Sequence, residues 1–485
     1  RNPRVVEGNL LMSAKKVSVK WAKQVFEIEI GTSLEEVQAQ LFSLTQVPME
    51  RQKLLCRGRQ IKKDKDLERV KPGAKMMLMG TAEELKAPTK KYIFEEDLTA
   101  TQKAELIKED VAGLNNLGNT CYMNSTVQCL RSISELKGAI NKYKNTPSRG
   151  TDPQSTMLVQ MGQMFNDLDK ARAPITPVTF VNTFRRLFPR FAQRGENGHF
   201  LQQDADECLM TFMDVARSKL DAKYSVEKDA KTNVVQQLFG FETVRKLKCT
   251  EGEEEEKVKT DLARKLTCHI DEKTNFLVQG IEKSLNEVVE LKSESLGRNA
   301  QYQQTVRLKT LPKYMVVQFV RFYWKKELGK KCKMLRKVKF PLKLDVESFC
   351  DSELRKSISA RRMKDKEARD KELGLDSLKK AKLDHGKEKS SMEVESVEPA
   401  DTTGYYQLFG VVTHKGRDAD SGHYIGWVHQ KDDDWSKYDD EKVSPIKEDE
   451  ILKLCGGGDW HTAYMCYYKR LDTMPEEKPK KGKKN

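Results

Sequence analysis

Three residues far apart in the chain have the side-chain types that thiol chemistry needs. Cys121 lies in GLNNLGNTCYMNSTVQCL (113–130), where two glycines, three asparagines and a threonine lead up to it. Behind it Met123, Val127 and Leu130 recur at the spacing of one helical face, which places the cysteine at a helix N-terminus. There the unpaired N–H groups and the positive end of the macrodipole favour a thiolate, so Cys121 is the candidate nucleophile. A buried small cysteine behind a polar cap is the commoner fate of the residue type, so the reading needs a base elsewhere.

His423 and Asp439 supply it. His423 begins HYIGWV, a strand in which Ile425 and Trp427 share its face, and Asp439 follows at the start of a second, acidic-rich strand. A turn centred on Lys431, in the polar run QKDDD, would set the two directly opposite as cross-strand neighbours. The carboxylate would fix the imidazole tautomer while the imidazole takes the thiol proton. Asp440 and Glu441 compete with Asp439 on spacing alone.

The elements that must hold these residues belong to a large chain. Its 485 residues have room for several domains and a sizeable core. The net charge of +15 comes from 88 basic and 73 acidic residues, so nucleic acid is not the automatic partner, and no base-stacking motif supports one. Residues 1–80 hold 16 Lys/Arg against 9 Asp/Glu, a basic face that suits an acidic partner. The ten cysteines are scattered with no CxxC pair, which argues for a reducing compartment, cytoplasmic or nuclear. No apolar run is long enough for a membrane span, and RNPRVVEGNLLMSAKK lacks the apolar core of a signal peptide.

Residues 1–14 read as an extension. From Val17, two alternating strands flank a short AKQ turn, then Ser33 and Glu36 form a capping box ahead of Leu34, Val37, Leu41 and Leu44 on one helical stripe. Two strands, KLLC and KMMLM, follow, with RGRQ and KPGA as turns, so residues 15–80 form a ββαββ β-grasp. Alternation turns Leu54 inward and Leu55 outward, where it could form an apolar patch with Met79. Residues 81–112 read as a linker with a short charged helix. The main body, 113–470, carries an insertion at 351–403 with 13 basic and 13 acidic residues, read as a partly disordered or helical surface excursion. Its KKAK cluster is more simply a solvated charge run than a nuclear signal, and 471–485 is a basic tail.

GLNNLGNTCYMN and SGHYIGW resemble the cysteine and histidine boxes of the ubiquitin-specific proteases. FLQQDADEC (200–208) is similar to a third segment of that family and GGGDWHTAYMCYY to its last strand, so the resemblance spans 113–468. VPMERQKLLCRGRQIKKDKDL likewise resembles the second half of ubiquitin, although MLMGTAEE lacks a terminal Gly-Gly, so that domain should dock rather than be conjugated. The resemblance implies an α+β chain: a ubiquitin-like domain followed by a papain-like cysteine protease domain with thumb, palm and fingers. It implies a deubiquitinase, hydrolysing the bond after the C-terminal glycine of ubiquitin. A ubiquitin-like domain on such a core implies docking on the regulatory particle of the 26S proteasome, by a chain that is a monomer when free. The alternative is a non-enzymatic adaptor in which both halves only bind.

That reaction makes an oxyanion, for which the Cys121 N–H and the Asn116 side chain are the expected donors, with Asn119 as loop structure. Either asparagine would serve equally well as a turn former or cap. The residues matching Gln203 and Asp204 bind the substrate's tail in the family. A side-chain-free Gly-Gly end can be selected by a narrow aromatic wall, for which Phe322, His414, Tyr424 and Trp460 are candidates, each more often core than channel. The loops at 321–340 and 414–422 match positions that cover the cleft in the resembling enzymes, implying low activity alone. Many members hold zinc on two CxxC pairs; here only Cys249, Cys268 and His269 are at hand, so no metal and no cofactor is expected. The acidic run EGEEEE (251–256) reads as a solvated loop.

Overall fold

The computed structural model describes residues 15–473 apart from 31–32, 46, 81–111, 148, 228–230, 326–328, 373–399, 417–420 and 459. The linker helix, the KKAK cluster, the N-terminal extension and most of the basic tail fall outside the described residues. The chain divides into two compact units, 1–106 and 107–485.

In the first unit, strands β1 (Lys15–Trp21) and β2 (Gln24–Ile30) pair as the expected hairpin, and helix Leu34–Thr45 packs Val37 and Leu41 onto them. Strands β3 (Lys53–Cys56), β4 (Arg59–Ile61) and β5 (Lys75–Met79) complete a sheet of order β2-β1-β5-β3-β4, with β1 and β5 parallel. The expectation of four strands is one short. Arg57 and Gly58, at φ 48° and 80°, make a two-residue turn of the kind that matches strand twist, so RGRQ returns as β4 against β3. Leu54 is buried and Leu55 faces outward as alternation requires; its cross-strand neighbour is Met77, half exposed like Met79.

The second unit is built on a mixed sheet of order β18-β17-β16-β15-β19-β11-β8, with β14 also pairing β15. Its strands are β8 (Leu266–His269), β11 (Tyr314–Val320), β14 (Lys343–Asp345), β15 (Tyr405–Lys415), β16 (His423–Lys431), β17 (Asp434–Asp439), β18 (Lys442–Lys447) and β19 (Thr462–Arg470). Most of β11 and β19 is buried, which explains the apolar runs YMVV and AYMCYY. The helices Cys121–Arg131, Ser134–Lys144, Pro153–Lys170, Val178–Leu187 and Ala205–Lys219 share one core with the inner residues Val412, Tyr424, Val428 and Tyr467. A separate antiparallel sheet of order β7-β6-β10-β9 comprises Lys257–Ala263, Phe241–Cys249, Asn299–Leu308 and Asn286–Lys292.

The front of the insertion takes the helical of the two expected forms. Helix Ser352–Glu372 buries Ile358, and Arg362 pairs with Asp345 and Glu347 while covering the Tyr405 ring at 4.1 Å. A helix that is polar almost all round gives no apolar stripe to read, yet one Ile and one Arg tie it to the body.

Candidate active site

Cys121 opens helix Cys121–Arg131 as the spacing predicts, but its thiol is not poised as a thiolate. It is only 2% exposed, and burial pushes its pKa up to about 12. The backbone N–H groups of Tyr424, Tyr122 and Cys121 act in the expected downward direction and are outweighed. The helix terminus thus contributes with the expected sign, and the larger desolvation reverses the net shift. Sγ lies 3.8 Å from Gln202 Oε1 and makes no hydrogen bond to His423.

The expected base and its expected orienter are joined: His423 Nε2 is 2.6 Å from Asp439 Oδ1. The register that brings them together differs from the expected one. Gly426 faces Tyr438 and His429 faces Trp435, and the turn falls on Asp432 and Asp433, with Asp432 at φ 48°. Asp439 thus lies diagonal to His423 rather than directly opposite. The face is preserved because the register differs by a whole period of two, and a diagonal pair remains within reach. Burial raises the Asp439 carboxyl, but the hydrogen bonds from His423 and Lys437 outweigh it and hold the pKa below the usual carboxylate value.

Asp440, the competitor, faces elsewhere. Its carboxylate is 8% exposed and accepts from Asn116 Nδ2 and Asn124 Nδ2, both at 2.8 Å. Asn116 Oδ1 accepts from the N–H groups of Gly118 (3.0 Å) and Thr120 (3.2 Å), so the amide is held at both ends in the loop ahead of Cys121. Asp440 taking one Nδ2 hydrogen leaves the other for a developing oxyanion. Asn119, at φ 51°, gives its side chain to the Phe200 carbonyl at 2.7 Å, as a loop former would.

Of the expected tail-binding residues, Phe322, His414 and Tyr424 come together. His414 lies 5.3 Å from Phe322 and 4.6 Å from Tyr424, ring to ring, and Tyr464 closes the group. Burial lowers the His414 pKa to about 3, with the Lys333 cation adding to it; the Ser421 carbonyl opposes weakly and lies outside hydrogen-bond geometry, so the ring is neutral. Trp460 is not in this cluster: it stands exposed against Lys415 and His461. Asp204 caps helix Ala205–Lys219 through the N–H groups of Asp206 and Glu207 and accepts from Tyr464 Oη at 2.6 Å, a structural use of the carboxylate. Gln203 is half-buried beside it.

Sequence reasoning passed over Gln202, the first of the paired glutamines, which touches Sγ and whose buried Nε2 has no partner among the described residues. It also passed over His461, buried between the rings of His423 and Trp427, 6.5 and 6.3 Å away. The tips of both cleft loops, 326–328 and 417–420, lie outside the described residues.

The model of the family described as ubiquitin carboxyl-terminal hydrolase matches residues 112–468, and that of the ubiquitin family matches 16–83. The chain belongs to the ubiquitin carboxyl-terminal hydrolase family. It is similar to ubiquitin carboxyl-terminal hydrolase 7 of Arabidopsis thaliana, 41% identical over 94% of this chain and 99% of that one. It is likewise similar to hydrolase 6 of Schizosaccharomyces pombe, at 35% over 94% and 99%, and to hydrolase 14 of Caenorhabditis elegans, at 33% over 96% and 95%. It is a deubiquitinating cysteine protease with an N-terminal ubiquitin-like domain.

In this hydrolase the two turns at the end of the four-stranded sheet do not suit a zinc ion. Glu254, on one turn, accepts from Ser293 and Ser295 of the other and from Tyr302 Oη, and Glu251 pairs with Arg298. The donors satisfy one another and include no thiolate pair. Cys249 is buried in that sheet's own small core, Cys268 in the palm, and His269 pairs with Glu287 at 2.6 Å. The acidic run is therefore not merely solvated: two of its glutamates tie the turns together.

Proposed function

We propose that Cys121, His423 and Asp439 are the nucleophile, base and orienter of this deubiquitinase, with Asn116 as oxyanion donor. The carrying observation is the 2.6 Å His423–Asp439 contact on a strand whose next residue, Tyr424, shares a core with Cys121. His423 takes the thiol proton, and Cys121 attacks the carbonyl of ubiquitin's terminal glycine. The oxyanion gathers the Cys121 N–H and the second hydrogen of Asn116 Nδ2. Protonated His423 passes its proton to the leaving lysine amine, and a water deprotonated by His423 then resolves the thioester. The Phe322, His414 and Tyr424 rings favour a side-chain-free tail by leaving little room beside it. Ubiquitin bearing a C-terminal thiol-reactive group should label the chain and fail to label Cys121→Ala. Equal labelling of the variant would move the nucleophile elsewhere, and no labelling of the unsubstituted chain would reopen the adaptor reading.

The finer reading is that the enzyme trims ubiquitin from proteasome-bound substrates. In its support, the ubiquitin-like domain carries a hollow of about 670 Å³ lined by Leu55, Met77 and Met79 with Lys20, Arg57 and Lys75 around them. Apolar residues ringed by cations suit an acidic protein partner. A place in the cytoplasm or nucleus accords with ten cysteines that are all free thiols. Full-length enzyme with Leu55→Glu and Met77→Glu should lose co-purification with the 26S proteasome and keep probe labelling; retained co-purification would refute this docking face.

A further inference from the structure

A buried cation stands behind the nucleophile loop without a carboxylate to match it among the described residues. Arg185, on helix Val178–Leu187, is 7% exposed, and the titratable neighbours that act on it are Tyr122 and a second cation, Arg194. Burying an uncompensated guanidinium is costly, and an apolar residue on this inner helix face would avoid the cost. The guanidinium instead has a geometric task. Its two Nη atoms donate to the carbonyls of Leu117 and Gly118, at 3.2 and 2.7 Å. Its plane covers the Phe200 ring at 3.5 Å, and Arg194 covers the same ring at 4.0 Å. Asn119, bonded to the Phe200 carbonyl, ties the loop to the same segment.

The consequence follows from peptide planarity. In a trans peptide the N–H points opposite to the C=O, so holding one carbonyl aims the next amide. With the Leu117 carbonyl drawn to Arg185, the Gly118 N–H meets Asn116 Oδ1 at 3.0 Å, where the Thr120 N–H joins it. These two N–H groups, with the Thr120 hydroxyl at 3.4 Å, fix which way the Asn116 amide faces, and Asp440 fixes its tilt through Nδ2. We propose that Arg185 is a positioning residue for the hydrolase: it orients the peptides at 117–118 and through them the Asn116 amide, without touching ubiquitin. The proposal rests on the reading of Asn116 as oxyanion donor. A guanidinium suits the task because its planar fork can hold two carbonyls at once, which a lysine ammonium cannot do in fixed geometry.

The test is steady-state turnover of ubiquitin carrying a C-terminal fluorogenic amide, by Arg185→Lys, Asn116→Ala and the double variant. Rates are expressed per folded molecule as judged by each variant's thermal transition. Arg185→Lys keeps the charge and is the variant least prone to unfold; Phe200→Leu removes only the stacking surface and should move kcat in the same direction by less. Arg185→Lys is expected to lower kcat about tenfold at unchanged KM, as a small misplacement of a catalytic group does. In the Asn116→Ala background it should cost nothing further, because residues that act through one another do not add. Additive losses with Asn116→Ala impaired, or a raised KM at constant kcat, would overturn the proposal alone. An Asn116→Ala enzyme with normal kcat would overturn the oxyanion reading and this route with it.

Discussion

The base side and the nucleophile side of the site are prepared in opposite ways. His423 and Asp439 keep 35% and 30% of their side chains exposed, are already joined, and have Lys437 at 3.1 Å from the same carboxylate. Cys121 is sealed at 2% exposure, hydrogen-bonded to Gln202 and protonated, with burial as the leading cause. Backbone register assembles the first; desolvation withholds the second. On the proposed roles, a joined base stands beside a buried, protonated thiol, so proton transfer from Cys121 would wait on a rearrangement at the cysteine rather than at the histidine.

The substitutions that test this contrast differ in expected size. Cys121→Ala should abolish turnover, a loss of about 10⁴-fold or more, while ubiquitin binding measured by titration persists. Asp439→Asn should lower kcat by about 10²–10⁴-fold by releasing the imidazole tautomer. If Asp440→Asn proved the more damaging of the two aspartate variants, the orienter would be misassigned. Asn116→Ala should lower kcat by about 10²-fold with KM unchanged, and poor binding at normal kcat would contradict its role. Because the folded Asp439 pKa is depressed, its pairing is fully present above the ordinary carboxylate value of about 4 and is lost as pH falls through the lower folded value. Asp439 therefore sets no limb of the kcat–pH profile near neutrality, which a profile from pH 4 to 8 would check. Met77→Glu, on the ubiquitin-like domain, should leave kcat on the fluorogenic substrate unchanged.

Much of this was legible in the sequence where the signal is local. Four of the five β-grasp strands and the β16–β17 hairpin follow from alternation and turn residues, the helix starting at Cys121 follows from apolar spacing, and the hairpin alone brings His423 to the face of Asp439. The turn was placed one residue early because QKDDD offers several polar positions, and only the left-handed Asp432 marks the true corner. Not legible were effects set by residues distant in the chain. The raised Cys121 pKa needs burial in a core to which distant segments contribute, and the use of Asp440 needs Asn116 and Asn124, more than 300 residues away. The Asp204 carboxylate, named from the family resemblance, is engaged as a helix cap, and Trp460, named as a candidate for the aromatic wall, stands away from the aromatic cluster.

The most direct test is the rate at which iodoacetamide alkylates Cys121 in the free enzyme as a function of pH, read at the Cys121 peptide by mass spectrometry. A buried thiol predicts slow alkylation near neutrality that keeps rising through about pH 10 without a plateau. A plateau already reached below about pH 7 would show a thiolate–imidazolium pair at rest and would contradict the account.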